Sequence, residues 1–221
     1  DYGKHDLDIS FEQDSAIRDF YYGELYKILD NFPQMIPDVR YSTLIMFANV
    51  VDKLPLYQDD LFVVVYTCVY LTSKIEQWSL SISDFINEFN LLNIPDIQNK
   101  IITCEIKIIN VLEFNLNFPN PINMLRAVMI IVEHVIKHTY LEDLTFICEK
   151  YINNAFKCRQ IINKFKISDI VLSSFTTCQI QDQDKDQEDS GLLKKIIEII
   201  AKVANEVEEI PERLERIRSF C

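Results

Sequence analysis

The sequence predicts an all-α chain of two tandem five-helix bundles with flanking terminal helices, and three observations carry that expectation. Only three of the 221 residues are glycine, which leaves little material for tight β-hairpins or phosphate-cradling loops. Nearly half of the residues, 48%, are apolar, and they recur at helical spacing along most of the chain. Near the middle, Phe118-Pro119-Asn120-Pro121 interrupts the pattern, because two prolines one residue apart cannot sit inside a helix. Each side of that break has about 100 residues, enough for a subdomain with its own core.

The first apolar run puts Ile17, Phe20, Tyr21, Leu25 and Ile28 on one stripe, with Asp14 and Ser15 ahead of it as capping candidates and Asn31-Phe32-Pro33 as its stop. A second run opens at Pro37-Asp38 and offers Val39, Met46, Phe47 and Val50 for burial, with Pro55 soon after its end. The third, over residues 58–76, aligns Leu61, Val64, Val65, Cys68, Thr72 and Ile75. So many β-branched residues suit a helix only when burial overrides propensity, which marks this run as central. A short amphipathic piece follows at 83–89, and Pro95-Asp96 opens a long helix to about residue 114.

Beyond the proline break, helices are expected at 122–137, 142–156, 167–177 and 191–208, the second aligning Leu144, Ile147, Cys148, Tyr151 and Ala155. Residues 179–189, almost wholly Gln and Asp, cannot bury enough apolar area to order themselves and read as a mobile loop. Ser190 then caps the 191–208 helix, and Pro211 starts a short charged helix ending near Ser219. The resulting division is an N-terminal extension over 1–13, a first bundle over 14–118, a second over 119–208 and a C-terminal helix over 209–221. Two groups of about five helices suggest a duplicated bundle, although the halves share no clear sequence identity.

The formal charge of −12, with no basic cluster, lacks the footprint of a phosphate-backbone binder. No nucleic-acid partner is expected. The longest apolar runs, such as 61–65, fall far below the ~20 residues of a membrane span, and no signal-peptide pattern opens the chain. A soluble intracellular protein with no membrane partner is the expectation. Six cysteines without a CxxC pair read as reduced thiols at apolar helix positions. The chain starts at Asp1 rather than Met, as a fragment would.

Catalytic residues are not visible: the sequence has no Gly-rich phosphate loop, no GxSxG turn and only three histidines. His134 and His138 stand at i, i+4 on one helix, but a metal site needs a third protein ligand and the HExxH order is absent. A solvated helix face is the simpler reading, and no metal or cofactor is expected. Glu206, Glu208 and Glu209 read as a solvated helix end.

One position breaks the pattern. Ile101, Glu105, Ile108 and Leu112 follow i, i+4, i+7, i+11 spacing, so Glu105 stands on an otherwise apolar stripe. Either it pairs with a cation, backbone N–H groups or another protein's surface, or it lies at the stripe edge and reaches solvent. Lys74, in the last turn of the central helix, is favoured there by the helix dipole.

Both residues lie in segments that resemble the cyclin box. Leu71-Thr72-Ser73-Lys74-Ile75-Glu76 is similar to its alanine-serine-lysine-x-glutamate segment. Cys104-Glu105-Ile106-Lys107-Ile108-Ile109-Asn110-Val111-Leu112-Glu113-Phe114-Asn115-Leu116 resembles the helix that follows, with its glutamate and terminal Leu-x-Phe-x-Leu. The resemblance covers residues 40–125 well and the second half by helix pattern alone. It implies a cyclin fold and a non-catalytic regulatory subunit that binds and activates a cyclin-dependent protein kinase. It further implies that Lys74 and Glu105 pair at the kinase-facing surface and hydrogen-bond kinase backbone, with Ile75, Ile109 and Leu116 as surrounding apolar residues. Within the family the chain is most similar to the cyclin H branch, which partners the CDK-activating kinase, with cyclin C next. Residues 14–32, the Asn120-Pro121 step and the terminal Pro211-Glu212-Arg213-Leu214-Glu215-Arg216 segment carry that likeness. A nuclear location, with the cytoplasm as a second site, and room for a third assembly subunit follow from the same resemblance.

The sequence also departs from the family. Ala16-Ile17-Arg18-Asp19-Phe20 stands where mitotic cyclins carry a methionine-arginine-x-isoleucine-leucine docking patch. Asp52-Lys53 stands for an aspartate-arginine pair and is assigned no role. The alternative function is a cyclin-fold transcription scaffold or pocket protein, TFIIB-like or retinoblastoma-like, binding other proteins; TFIIB-like binding to DNA would want a basic face, against which the charge of −12 argues.

Overall fold

The computed structural model describes residues 11–32, 34–54, 60–78, 80–133 and 141–181. These residues form nine helices and no strand, the all-α architecture the sequence predicts. The chain divides into two units, residues 1–116 and 117–221. The first contains α1 (Phe11–Asp30), α2 (Pro37–Val51), α3 (Leu61–Ile75), α4 (Ile82–Glu88) and α5 (Ile97–Val111). The second contains α6 (Pro121–Glu133), α7 (Leu141–Ala155), α8 (Arg159–Lys164) and α9 (Ile167–Gln181).

In the first unit α3 packs against α1, α2 and α5, and eleven of its fifteen residues are buried. Its polar residues can be buried because each hydroxyl finds a carbonyl one turn back. Thr67 donates to the Val63 carbonyl at 2.7 Å, Thr72 to Cys68 at 2.8 Å and Ser73 to Tyr70 at 2.7 Å. The helix starts where the Asp60 side chain accepts from the Phe62 N–H at 3.1 Å, an N-cap worth about 1 kcal/mol. On α2, Pro37 occupies the first turn, where its missing N–H costs nothing. Two side-chain bonds fasten α2 to the C-terminal end of α3: Thr43 to Thr72 and Ser42 to Glu76, both at 2.5 Å.

The first helix departs from its expected start. It begins at Phe11, inside the stretch read as an extension, so Asp14 and Ser15 lie within the helix instead of capping it. Asp14 accepts from Arg18 Nε one turn on at 2.9 Å, and Arg18 also donates to the Leu54 carbonyl at 3.2 Å, tying α1 to the end of α2.

Helix ends in the first unit depend on left-handed residues that are not glycine. Asn90 (φ 53°) follows α4 and Glu113 (φ 52°) follows α5. Around each, the next N–H reaches back to the third residue from the end: Leu91 to Ile86 at 2.9 Å and Phe114 to Ile109 at 3.0 Å. These are Schellman closures. The second of them stops α5 at Val111, three residues before the expected end.

In the second unit Asn120 caps α6, its side chain accepting from the Ile122 N–H at 2.8 Å, with Pro121 in the first turn. The residues that mark the proline break thus also start a helix. Helices α6, α7 and α9 pack on one another, with Leu125, Cys148, Ile152 and Phe175 fully buried. The six-residue α8 was not expected from the sequence. Helix α9 runs on to Gln181, three residues into the stretch expected as a mobile loop over 179–189. Expectations for Pro33 and Pro55, for His134 and His138, for the rest of that loop, for Glu206, Glu208 and Glu209, and for helices at 191–208 and 211–219 lie outside the described residues.

Candidate protein-binding site

Lys74 is the one exposed residue of α3. Its ammonium donates to Glu105 Oε1 on α5. The lysine side chain is 39% exposed and the glutamate 14%, so the pair sits at the edge of the α3–α5 seam. The centre of the α5 stripe is Ile97, Ile101, Cys104 and Ile108, all buried, and Glu105 flanks it. Both readings of Glu105 therefore hold in part: it lies at the stripe edge, and it has a cation partner. A partly exposed pair of this kind adds about 0–1 kcal/mol to folding.

A second contact holds the lysine. Nζ lies 4.7 Å from the centroid of the Tyr70 ring, one turn back on α3. Tyr70 is buried and meets Phe85 of α4 at 5.1 Å. Lys53 makes a separate link to α5: it donates to the Val111 carbonyl at 3.4 Å, supplying a cation to the C-terminal end of α5. The Asp52-Lys53 step thus links α2 to α5.

Around the pair, α5 turns apolar side chains outward. Ile109, one turn after Glu105, is half-buried. Ile102 is 41% exposed and Ile106 61%. Beyond the closing turn, Phe114 is 74% exposed and Leu116 half-buried, and Ile75 next to Lys74 is half-buried as well. Sequence reasoning picked out Ile75, Ile109 and Leu116 but missed Ile102, Ile106 and Phe114. The wheel of α5 holds the missed signal: Ile102, Ile106 and Ile109 fall on one face that is offset from the buried stripe. Isoleucines exposed side by side next to an ion pair suit a surface that another protein covers.

Away from this face, an open groove of about 310 Å³ is lined by Asp60, Val63, Asp96, Asn99, Lys100 and Lys107 among others, and shares no residue with the Lys74–Glu105 pair. Cys68, Cys104, Cys148 and Cys158 stand outside any disulfide; burial, then the neighbouring Cys104, pushes the Cys68 thiol well up. Among the described residues no group of three His, Cys, Asp or Glu side chains could hold a metal, and no helix is long and apolar enough to cross a membrane.

Comparisons agree with this architecture. The family model "Cyclin, N-terminal domain" matches residues 10–117. A chain in the structure of the CAK complex from Chaetomium thermophilum bound to ATP-gamma-S is similar in fold, with a TM-score of 0.73 at 15% identity over 96% of this chain and 64% of that one. A chain in the cryoEM structure of the yeast TFIIK (Kin28/Ccl1/Tfb3) complex gives 0.74 at 15% identity, over 95% of this chain and 87% of that one. This chain thus spans less than two thirds of the first neighbour's length, and no curated protein matches its sequence significantly. The matched segment takes in α1 to α5 with both Lys74 and Glu105, and by it residues 10–117 of this chain are a cyclin N-terminal domain.

Proposed function

We propose that this chain is the regulatory subunit of a cyclin-dependent protein kinase, of the cyclin H type, and that α3 and α5 form its kinase-binding surface. The observation that carries the proposal is Lys74, the sole exposed residue of a helix with eleven of its fifteen residues buried, ion-paired with Glu105 beside outward-facing isoleucines. Lys74 and Glu105 then offer a donor and an acceptor to kinase backbone, while Ile75, Ile102, Ile106, Ile109 and Leu116 exchange water for apolar kinase side chains.

No catalytic group of this chain takes part. Binding the active arrangement of the kinase's regulatory helix more tightly than the inactive one shifts the kinase toward activity, because that arrangement completes the kinase's own Lys–Glu ion pair. The two neighbouring structures support this reading, since both are complexes named for CAK and TFIIK, the latter containing Kin28, Ccl1 and Tfb3. The three proteins named in the TFIIK complex support a third assembly subunit, and a nuclear place of work is part of the same proposal.

The test is reconstitution. Each cyclin-dependent kinase of the source organism is mixed with the purified chain, and complex formation and phosphorylation of a kinase activation loop and of a polymerase tail peptide are measured. One kinase should bind and gain activity. Binding without activation would favour the scaffold reading, and no binding to any kinase would overturn the proposal.

A further inference from the structure

We propose that Tyr70 is a positioning residue of the binding surface, holding the Lys74 ammonium by its ring face so that the lysine is presented in one direction before any partner arrives; this rests on the kinase-binding reading above. A lysine on the last turn of a helix has four rotatable side-chain bonds and is ordinarily mobile. Here Nζ is held from two sides, by the Glu105 carboxylate and by the Tyr70 ring 4.7 Å away. The i, i+4 spacing sets the ring beneath the lysine stem, and the negative face of the ring attracts the cation.

The ring itself is fixed. Tyr70 is buried, and Phe85, which is fully buried, meets it at 5.1 Å. Phe85 in turn stacks with Phe89 at 4.6 Å, and Phe89 meets Phe32 at 4.4 Å and Tyr66 at 5.8 Å. Helix α4 therefore acts as a wedge behind the ring that faces Lys74. An ammonium has three N–H donors. With one on Glu105 and one over the ring, the third is left to point at an acceptor on the partner. Preorganisation of this kind raises affinity by reducing the ordering that binding would otherwise require.

The experiment varies the ring's electrostatics without its shape. Tyr70→Phe keeps the π face and loses only the hydroxyl. Replacing Tyr70 by pentafluorophenylalanine keeps the packing and reverses the quadrupole. On the free chain, the Lys74 ε-methylene protons should show an upfield ring-current shift that Tyr70→Phe retains. Against the kinase bound by the wild-type chain, Tyr70→Phe should bind within about twofold and the fluorinated variant about fivefold more weakly. That fivefold difference should vanish in a Lys74→Met background. Equal affinity of the fluorinated and Phe variants, an undiminished difference without Lys74, or no ring-current shift would each overturn the positioning role. Absence of any kinase bound by the wild-type chain would instead defeat the functional reading, and the ring-current measurement on the free chain would still decide the placement of Lys74.

Discussion

Helices α3 and α5 are each fifteen residues long and pack against one another, yet burial treats them oppositely. In α3 eleven residues are buried and Lys74 alone is exposed. In α5 only Ile97, Ile101, Cys104 and Ile108 are buried, and Ile102 and Ile106 face solvent. The first helix is committed to the core of its unit, and its one outward side chain is held in place by the second. The second spends a single stripe on the core and leaves an apolar face without a cover among the described residues. A fold-bearing helix and a surface-bearing helix thus meet at one ion pair, and substitutions in the two should fail in different ways.

The largest effect should come from the core of α3. Leu71→Ala removes a buried side chain and should cost about 2–5 kcal/mol of stability, read from the denaturant midpoint, with kinase binding lost only as the chain unfolds. Lys74→Glu should do the reverse. Its unfolding free energy should fall by about 1–2 kcal/mol, because a second carboxylate then stands beside Glu105, which is 14% exposed, at the C-terminal end of α3, while kinase affinity in a titration should fall by about 3 kcal/mol, or two orders of magnitude. Ile106→Ser should leave stability within about 0.5 kcal/mol and weaken kinase binding by about 1.5 kcal/mol, roughly the value of one isoleucine buried at the interface. Asp60→Ala, which removes the cap of α3, should lower stability by about 1 kcal/mol and leave the affinity per folded molecule unchanged. If Ile106→Ser unfolds the chain, or Lys74→Glu binds as well as the wild type, the contrast between the helices breaks.

Much of this was legible in the sequence. The all-α class followed from three glycines and persistent helical spacing, and the run of β-branched residues in α3 identified a helix that only burial could stabilise. Glu105 announced itself as a charge on an otherwise apolar stripe, and the structure moves it to the edge of that stripe. What periodicity could not give were the ends: α5 stops at Val111 because Glu113 adopts a left-handed conformation, a role usually marked by glycine and here filled without one. The start of α1 was misplaced because Asp14 resembles a cap in sequence but forms an i, i+4 pair with Arg18. The helix α8 was too short for a 3.6-residue period to register. Within the site, Ile102 and Ile106 were passed over because an outward isoleucine and an inward one look alike until the helix has a buried side.

The measurement that tests the central claim most directly is a charge swap, Lys74→Glu together with Glu105→Lys, assayed by titrating the kinase with the wild-type and swapped chains and following its activity. The swap restores an ion pair between α3 and α5 and should leave stability within about 1 kcal/mol of wild type. If the two charges face the kinase, each now meets backbone of the wrong polarity, and the swapped chain should neither bind nor activate. A swapped chain that activates the kinase as the wild type does would mean that the pair only joins two helices, and that the binding surface lies elsewhere.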